Sequence, residues 1–308
     1  MALRALSRLR RGAIPEWPDA DVDGWLERVA GAGLERIDHA CADGSPDHFT
    51  LFGELDSRVW AVLLTQRYRS YPNIRALLPD VPGSDTQTLY NGTSDVPLAI
   101  QSEAFYRIAR ERFGQHFDGA RLLDFGCGWG RLTRYFARDI APGNLYGCDP
   151  VEEILNVCRS TRVPAQLARS EFLPERLPFD VTFDLAFSFS VLTHISEKAA
   201  RHCLEALHAG MRPGGILIVT VRPTEYAELS ELMEPVRVEL DPDQPQHLFV
   251  PHAADPSHPQ FGGDEMHFGE AVITLPYVRE RWADLFELLE VESTIEDAYQ
   301  TVLTLRRR

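Results

Sequence analysis

Three glycines stand at alternate positions in RLLDFGCGWGRLTRYFA: Gly126, Gly128 and Gly130, with Asp124 two residues before the first. Glycine at such a place lets a strand turn tightly into a helix and lets a ligand approach the backbone. The helix start beyond it offers unpaired N–H groups. The chemistry is therefore that of a bound small molecule, and the flanking charge says which kind.

A dinucleotide would lay its pyrophosphate on this loop, usually with GxGxxG spacing; here the spacing is GxGxG. A fixed carboxylate beside a pyrophosphate is repulsive, whereas beside an ammonium or sulfonium it is favourable by the sign of the Coulomb interaction. S-adenosylmethionine (SAM) fits that requirement and a nicotinamide cofactor does not. Arg131 adds a second charge, because a cation in the first helical turn opposes the macrodipole. Either a nearby anion such as the SAM carboxylate offsets it, or the side chain extends into solvent.

A second carboxylate, Asp149 in YGCDP, falls at the tip of the next apolar run. In an open α/β sheet that tip faces the ligand crevice. Asp149 either accepts the two ribose hydroxyls of an adenosine or caps the following helix. His194 lies just past a later apolar run and is the best-placed general base, the alternative being a helix-start histidine bonded to backbone near Ser196. A segment from Pro223 to Leu275 gathers His247, His252, His258 and His267 with Asp255, Asp264 and Glu265. Such side chains suit zinc or iron, but their spacing matches no metal motif, and no metal is expected. Glu265 or His267 can instead supply a base from a closing lid. Tyr90 and Asn91, in a Pro- and Gly-rich stretch, are either lid residues or a surface turn.

These groups need a scaffold. From Ala120 short apolar runs alternate with helical periodicity, the signature of βαβ units and a parallel sheet. Strands are expected at Arg121–Asp124, Asn144–Cys148, Ala165–Leu167, Phe183–Phe189 and Gly215–Val221. Helices are expected at Gly130–Asp139, Val151–Arg159, Glu197–Met211 and about Pro276–Phe286. Leu288–Ser293 and Tyr299–Leu305 close the chain as an antiparallel pair. Residues 1 to 117 read as a helical cap region, with amphipathic stretches at Leu51–Tyr68 and Gln101–Phe113 and turns between them. Residues 118–308 read as the ligand-binding domain. The insertion, about 223–275, is too long for an ordinary connection and reads as a lid or loop.

Composition narrows the functions. The net charge of −15 over 308 residues argues against a nucleic-acid partner, which normally meets a basic surface. Five scattered cysteines without a CxxC pair make no disulfide framework or thiolate zinc site, and fit a reducing, cytoplasmic setting. No apolar run is long enough to span a bilayer. MALRALSRLRRG carries Leu3, Leu6 and Leu9 among four arginines; it lacks the apolar stretch of a signal peptide and reads as a frayed or packed tail.

In order and spacing, DFGCGWGR, YGCDP, FDLAFSFSVLTHIS and MRPGGILIVT resemble the class I SAM-dependent methyltransferases. The likeness runs from about Ala120 to Arg308, and the THIS-E stretch is similar to a subset associated with bacterial glycan and secondary-metabolite pathways. It implies a Rossmann-like seven-stranded, mostly parallel sheet with helices on both faces. It also implies that Asp124, Gly126 and Gly128 hold the methionine end of SAM, within a loop that includes Cys127, Gly130 and Arg131. Asp149 would hold the ribose beside Pro150, and backbone near Phe189 and Ser190 would line the methyl donor. Many relatives place an acidic residue after the third strand for the adenine amino group. This chain has Ala168-Arg169-Ser170-Glu171 there, leaving Ser170 or Glu171 as the contact. The expectation is methyl transfer to a small polar acceptor, oxygen favoured over nitrogen, with S-adenosylhomocysteine (SAH) as the other product. A non-catalytic SAM-binding module is the second reading and a nicotinamide-dependent reductase the third.

Overall fold

The computed structural model of the chain describes residues 16–114, 116–256, 258, 260–293 and 296–308. The amphipathic leucines at 3, 6 and 9 lie outside the described residues. Strand β1 (Leu122–Phe125) lies inside a seven-stranded sheet. Around it stand β2 (Leu145–Asp149), β3 (Gln166–Arg169), β4 (Phe183–Ser188) and β5 (Met211–Val221). The insertion carries β6 (His247–Pro251), β7 (Phe261–Gly262), β8 (Glu265–Met266) and β9 (Gly269–Ile273), and β10 (Phe286–Ser293) and β11 (Thr301–Arg307) end the chain. The sheet order is β10-β11-β5-β4-β1-β2-β3. β11 runs antiparallel to β5 and β10, and the remaining pairs are parallel.

Parallel strands buried on both faces read as continuous apolar runs, and LLDF and FDLAFS are such runs. Alternate side chains serve different layers. Leu122, Leu185, Phe187 and Ile218 pack on the N-terminal helices. Leu123, Phe125, Ala186, Leu217 and Val219 pack on the opposite face against the helices at Glu197–Gly210 and Leu275–Arg281. Asp124 is 2 % exposed in the midst of this core.

The N-terminal region folds as α1 (Val22–Ala40), α2 (Ser57–Thr65), α3 (Pro72–Leu77), α4 (Ser84–Asn91) and α5 (Asp95–Phe113). The stretch expected to be turns between residues 71 and 97 therefore holds two short helices and the start of α5. The prolines there act as starters: Pro72 sits in the first turn of α3, where the missing N–H costs nothing. Between the strands lie α6 (Glu152–Ser160) and α7 (Glu197–Gly210), and α10 (Leu275–Arg281) precedes the closing hairpin. The helix expected at Gly130–Asp139 is a run of turns ending in a 3₁₀ helix, Thr133–Arg138. The left-handed backbone at Gly130 (φ +77°) delays its start. Arg134 then takes the carbonyls of Gly130 and Trp129 with its side chain.

The insertion is folded and attached. Two short helices, α8 (Tyr226–Leu229) and α9 (Glu234–Arg237), precede the β6–β9 ribbon and the small β7–β8 hairpin. β9 is buried throughout and docks on the segment after β4, with Gly269 and Ala271 N–H donating to the His194 and Thr193 carbonyls. No helix among the described residues is long and apolar enough to cross a membrane.

Candidate active site

The C-terminal tips of β1, β2, β4 and β5 surround a cavity of about 750 Å³, within the usual size range of small-molecule sites. One wall is the glycine loop. Gly126 and Cys127 N–H donate to the Cys148 carbonyl at 2.8 and 3.0 Å, tying the loop to β2. Gly126, Gly128 and Gly130 all have positive φ, but they do different things. A Cβ on Gly126 would meet Val191 Cγ2 at 2.2 Å, and one on Gly130 would meet Val163 Cγ2 at 2.7 Å. These two glycines permit packing. A Cβ on Gly128 would meet nothing within 4 Å, so this glycine opens the backbone toward the cavity.

Both expected carboxylates line the cavity. Asp124 accepts from Thr133 Oγ1 at 2.6 Å. Burial, reinforced by the nearby Asp149 charge, pushes its pKa up to about 7, against the pull of Thr133 and Arg131. A buried carboxylate so poised gains from a cationic ligand. Asp149 accepts from Gly128 N–H at 3.0 Å and Val151 N–H at 3.0 Å. It thus both fastens the loop and supports the start of α6, and burial raises its pKa in spite of those two donors. Each oxygen keeps lone-pair capacity for a further donor.

Arg131 is 8 % exposed; it is not extended into solvent. Its guanidinium donates to Ser102 Oγ at 3.3 Å and lies 4.8 Å from the Phe189 ring centroid. Burial lowers its pKa, with Asp297 among the charges that oppose the shift. Pro150, Ser170, Glu171, Phe189 and Ser190 also line the cavity, as do Tyr90 and Asn91 from α4. Ser190 has φ +60°, uncommon for a serine and worth about 1–3 kcal/mol of strain. Its N–H donates to Thr220 Oγ1 at 2.8 Å, and its hydroxyl accepts from Gln300 Nε2 at 3.1 Å.

His194 lines the cavity on the β4–β5 side. Its Nδ1 is 3.0 Å from the Gly269 carbonyl and 3.3 Å from Glu270 Oε1, which assigns the proton to Nδ1. Nε2 is then the acceptor, 3.2 Å from an Arg222 NH group. Arg222 also donates to Glu270 Oε2 at 2.7 Å, and Tyr226 Oη donates to the same oxygen at 2.9 Å. Burial pushes the Glu270 pKa up, but the His194 hydrogen bond and charge, the Arg222 charge and Tyr226 outweigh it and hold the carboxyl at about 2.

The other two expected bases stand elsewhere. His267 is 1 % exposed, with Nδ1 2.8 Å from Ser196 Oγ and Nε2 3.2 Å from the Gly262 carbonyl. It ties the insertion to Ser196, the residue that caps α7, and both its nitrogens are engaged. Glu265 is exposed on the β7–β8 hairpin, and the cavity wall includes neither residue. Two of the other insertion histidines, His252 and His258, converge on one ring, Phe268, which also stacks on His194. His247 is half-buried beside the Ile195 carbonyl, and desolvation lowers its pKa to about 4.

Sequence reasoning missed Arg222, Glu270, Gln300 and Arg134. Arg222 carries a signal: it is a charge directly after β5, at a strand's C-terminal tip, where ligands of α/β sheets bind. Glu270 carries none, because the nearest in sequence of its side-chain hydrogen-bond partners, Tyr226, is 44 residues away. Trp129 Nε1 and Gln300 Oε1, both in cavity-lining residues, are buried without a hydrogen-bond partner among the described residues. Open backbone at Gly128, two buried carboxylates and these two orphaned atoms fit a ligand with a cationic end and several hydroxyl and amine groups, as SAM has.

A mostly parallel sheet with an antiparallel closing hairpin, and a glycine loop clamped by an acidic residue from β2, make a Rossmann-like α/β fold. Residues 122–215 match the family described as methyltransferase domain. An uncharacterised methyltransferase of Schizosaccharomyces pombe is 28 % identical over 143 residues, 41 % of this chain and 51 % of that protein. A ubiquinone biosynthesis O-methyltransferase of Ruegeria pomeroyi is 31 % identical over 122 residues, 36 % of this chain and 46 % of that one. The chain thus spans about half the length of the curated relatives it matches. Among solved structures, magnesium protoporphyrin IX methyltransferase from Synechocystis with bound SAH is similar over 73 % of this chain and 94 % of that one, at 14 % identity and TM-score 0.49.

Proposed function

We propose that the chain is a SAM-dependent methyltransferase acting on a hydroxyl of a small polar acceptor, such as a secondary metabolite or a glycan intermediate. The observation that carries this reading is one cavity that joins the glycine loop and its carboxylates to a tautomer-fixed histidine. Asp124, Gly126 and Gly128 would hold the methionine end, with Arg131 near its carboxylate. Asp149 would accept the ribose hydroxyls beside Pro150, and Ser170 and Glu171 would stand on the adenine side. SAM supplies a methyl group already activated as a sulfonium, so the protein's task is alignment and proton removal. His194 Nε2 is the base, and Nδ1–H held by Gly269 and Glu270 places the neutral ring's lone pair on that nitrogen. The segment from Phe189 to His194, stiffened by Gln300 and Thr220, sets the distance between donor and base.

The relative named as an O-methyltransferase agrees with an oxygen acceptor. An amine acceptor is the competing reading, and a SAM-binding module without turnover is the third. The deciding experiment is thermal stabilisation of the purified chain by SAH, with NADH in parallel. At a hundredfold its dissociation constant a ligand adds about 2.7 kcal/mol, which is a rise of several degrees at roughly 2–4 °C per kcal/mol. A rise with SAH that Asp149→Ala removes supports the assignment. A rise with NADH and none with SAH sinks it.

A further inference from the structure

We propose that Arg222 binds the acceptor oxygen as an anion, so that the acceptor is an acidic hydroxyl, a phenol or an enol, which narrows the acceptors named above by excluding amines and the alcohol groups of glycans. The inference rests on the methyltransferase reading and names the substrate class of that site. His194 and Arg222 leave the tips of β4 and β5, which are adjacent parallel strands, and both face the same cavity. An Arg222 NH group lies 3.2 Å from His194 Nε2, so the cation occupies the lone pair that a base must use. An acceptor hydroxyl that takes this position replaces one donor with another. It gives its proton to Nε2, and the displaced Arg222 NH turns onto the oxygen.

The step balances. The O–H bond breaks and its proton goes to Nε2. The oxygen keeps the electron pair and forms the O–C bond as the methyl's C–S bond breaks, that pair remaining on sulfur. The charge at Arg222 decides the acceptor. A cation beside an oxygen that becomes negative stabilises it, whereas beside a nitrogen that becomes positive it opposes reaction. Imidazole is a weak base relative to an alkoxide, and the gap is smallest for phenols and enols, whose acidity is near that of a tyrosine side chain. Arg222 Nε is itself buried without a partner among the described residues, and the guanidinium lies 3.9 Å from the Tyr226 ring centroid. Glu270 is the positioning residue. One oxygen reaches His194 at 3.3 Å and the other reaches Arg222 at 2.7 Å. It therefore holds the two groups side by side and, after proton transfer, separates two cations.

The test uses the SAH complex of the full chain and 4-nitrophenol, whose phenolate absorbs visible light, with 4-nitroaniline as the amine of the same shape. An opposite charge within about 4–6 Å lowers an acid's pKa by about 1 to 3 units. The wild-type complex should therefore bind 4-nitrophenol as phenolate with its titration moved down by at least one unit, and should bind 4-nitroaniline at least tenfold more weakly. Arg222→Met should abolish the shift while SAH still raises the melting temperature. Arg222→Lys, which keeps the charge without the fork, should retain part of it. Equal binding of the amine, a shift that survives in Arg222→Met, or no shift in the wild-type complex each overturns the proposal. Failure of SAH to stabilise the wild type would overturn the underlying functional reading instead.

Discussion

Asp124 and Glu270 give opposite dependences on pH, and the signs follow from the directions of their shifts. Asp124 is raised from its ordinary value of 3.8 to about 7. Its contribution to the ligand-free fold is fully present below about pH 4 and is lost as pH rises through 7. Asp124→Asn should then raise the melting temperature at pH 8 without ligand, yet weaken SAH, whose ammonium loses its carboxylate. Calorimetry of SAH binding to the wild type near pH 6 should show proton release that is absent in the variant; equal proton release by both would separate Asp124 from the ligand. Glu270 is held at about 2 against an ordinary 4.5, so its contribution is present above about pH 4.5 and is lost as pH falls toward 2. The loop glycines separate in the same way. Gly126→Ala drives a Cβ to 2.2 Å from Val191 at φ +76° and should destabilise the fold by about 1–3 kcal/mol. Gly128→Ala meets no neighbour and should cost only about 1 kcal/mol of left-handed strain. Gly128→Val should nevertheless lose SAH binding, because the bulk enters the cavity; a Gly128→Val chain that still binds SAH normally would remove this glycine from the ligand wall.

The glycine loop as an element depends on a residue that no local pattern reveals. Arg134 is fully buried, and burial lowers its pKa to about 10. Its guanidinium donates to the carbonyls of Gly130 at 3.0 Å, Asp80 at 3.0 Å and Trp129 at 3.4 Å, and lies 4.7 Å from the Trp129 ring centroid. One cation thus replaces the helical bonds that the expected helix at Gly130–Asp139 would have made, and ties the loop to the segment after α3. Arg134→Met keeps the length but leaves buried carbonyls without donors. That should cost about 3 kcal/mol, read as a fall of roughly 6–12 °C in melting temperature, together with weaker SAH binding. A melting temperature within 2 °C of wild type would show that water or another donor replaces the guanidinium. Strands were legible because parallel pairing requires apolar runs, and the carboxylates were legible because strand tips face the crevice. Arg134 was not, because RLTRYFAR has helical spacing and the side chain's partners lie up to 54 residues away. The strands of the insertion were not legible for a related reason: Pro, His and acidic residues mark a loop locally, but β9 is held by backbone bonds to Thr193 and His194.

At the scale of the whole molecule, one core crosses the boundary that composition draws near residue 117. Trp60, Phe105, Tyr106 and Phe113 from the N-terminal helices pack with Leu122, Phe136, Leu185 and Phe187. Phe187 of β4 lies 5.8 Å from Phe105 and 5.0 Å from Phe136, ring centre to ring centre. Polar contacts cross as well: Trp60 Nε1 donates to the Tyr135 carbonyl at 2.9 Å, and buried Arg138 donates to the carbonyls of Phe52 and Leu55. The helices therefore complete one face of the sheet, the face on which Asp124 meets Thr133. Separated from them, residues 118–308 would expose a continuous aromatic surface and leave Arg138 without its acceptors. Each large apolar side chain returned to water costs about 1.5–3 kcal/mol, so losing several is comparable to the total stability of an ordinary domain, about 5–15 kcal/mol. The 118–308 fragment should accordingly show strand and helix in the far ultraviolet but weak aromatic dichroism, dye binding and no cooperative melt, the marks of a molten globule. Adding residues 1–117 as a separate chain should restore some SAH-dependent protection of β1 and β4 amides in hydrogen exchange. A fragment that melts cooperatively and binds SAH with full affinity by itself would show instead that the sheet closes its own core, and that the helices serve only the acceptor side of the cavity.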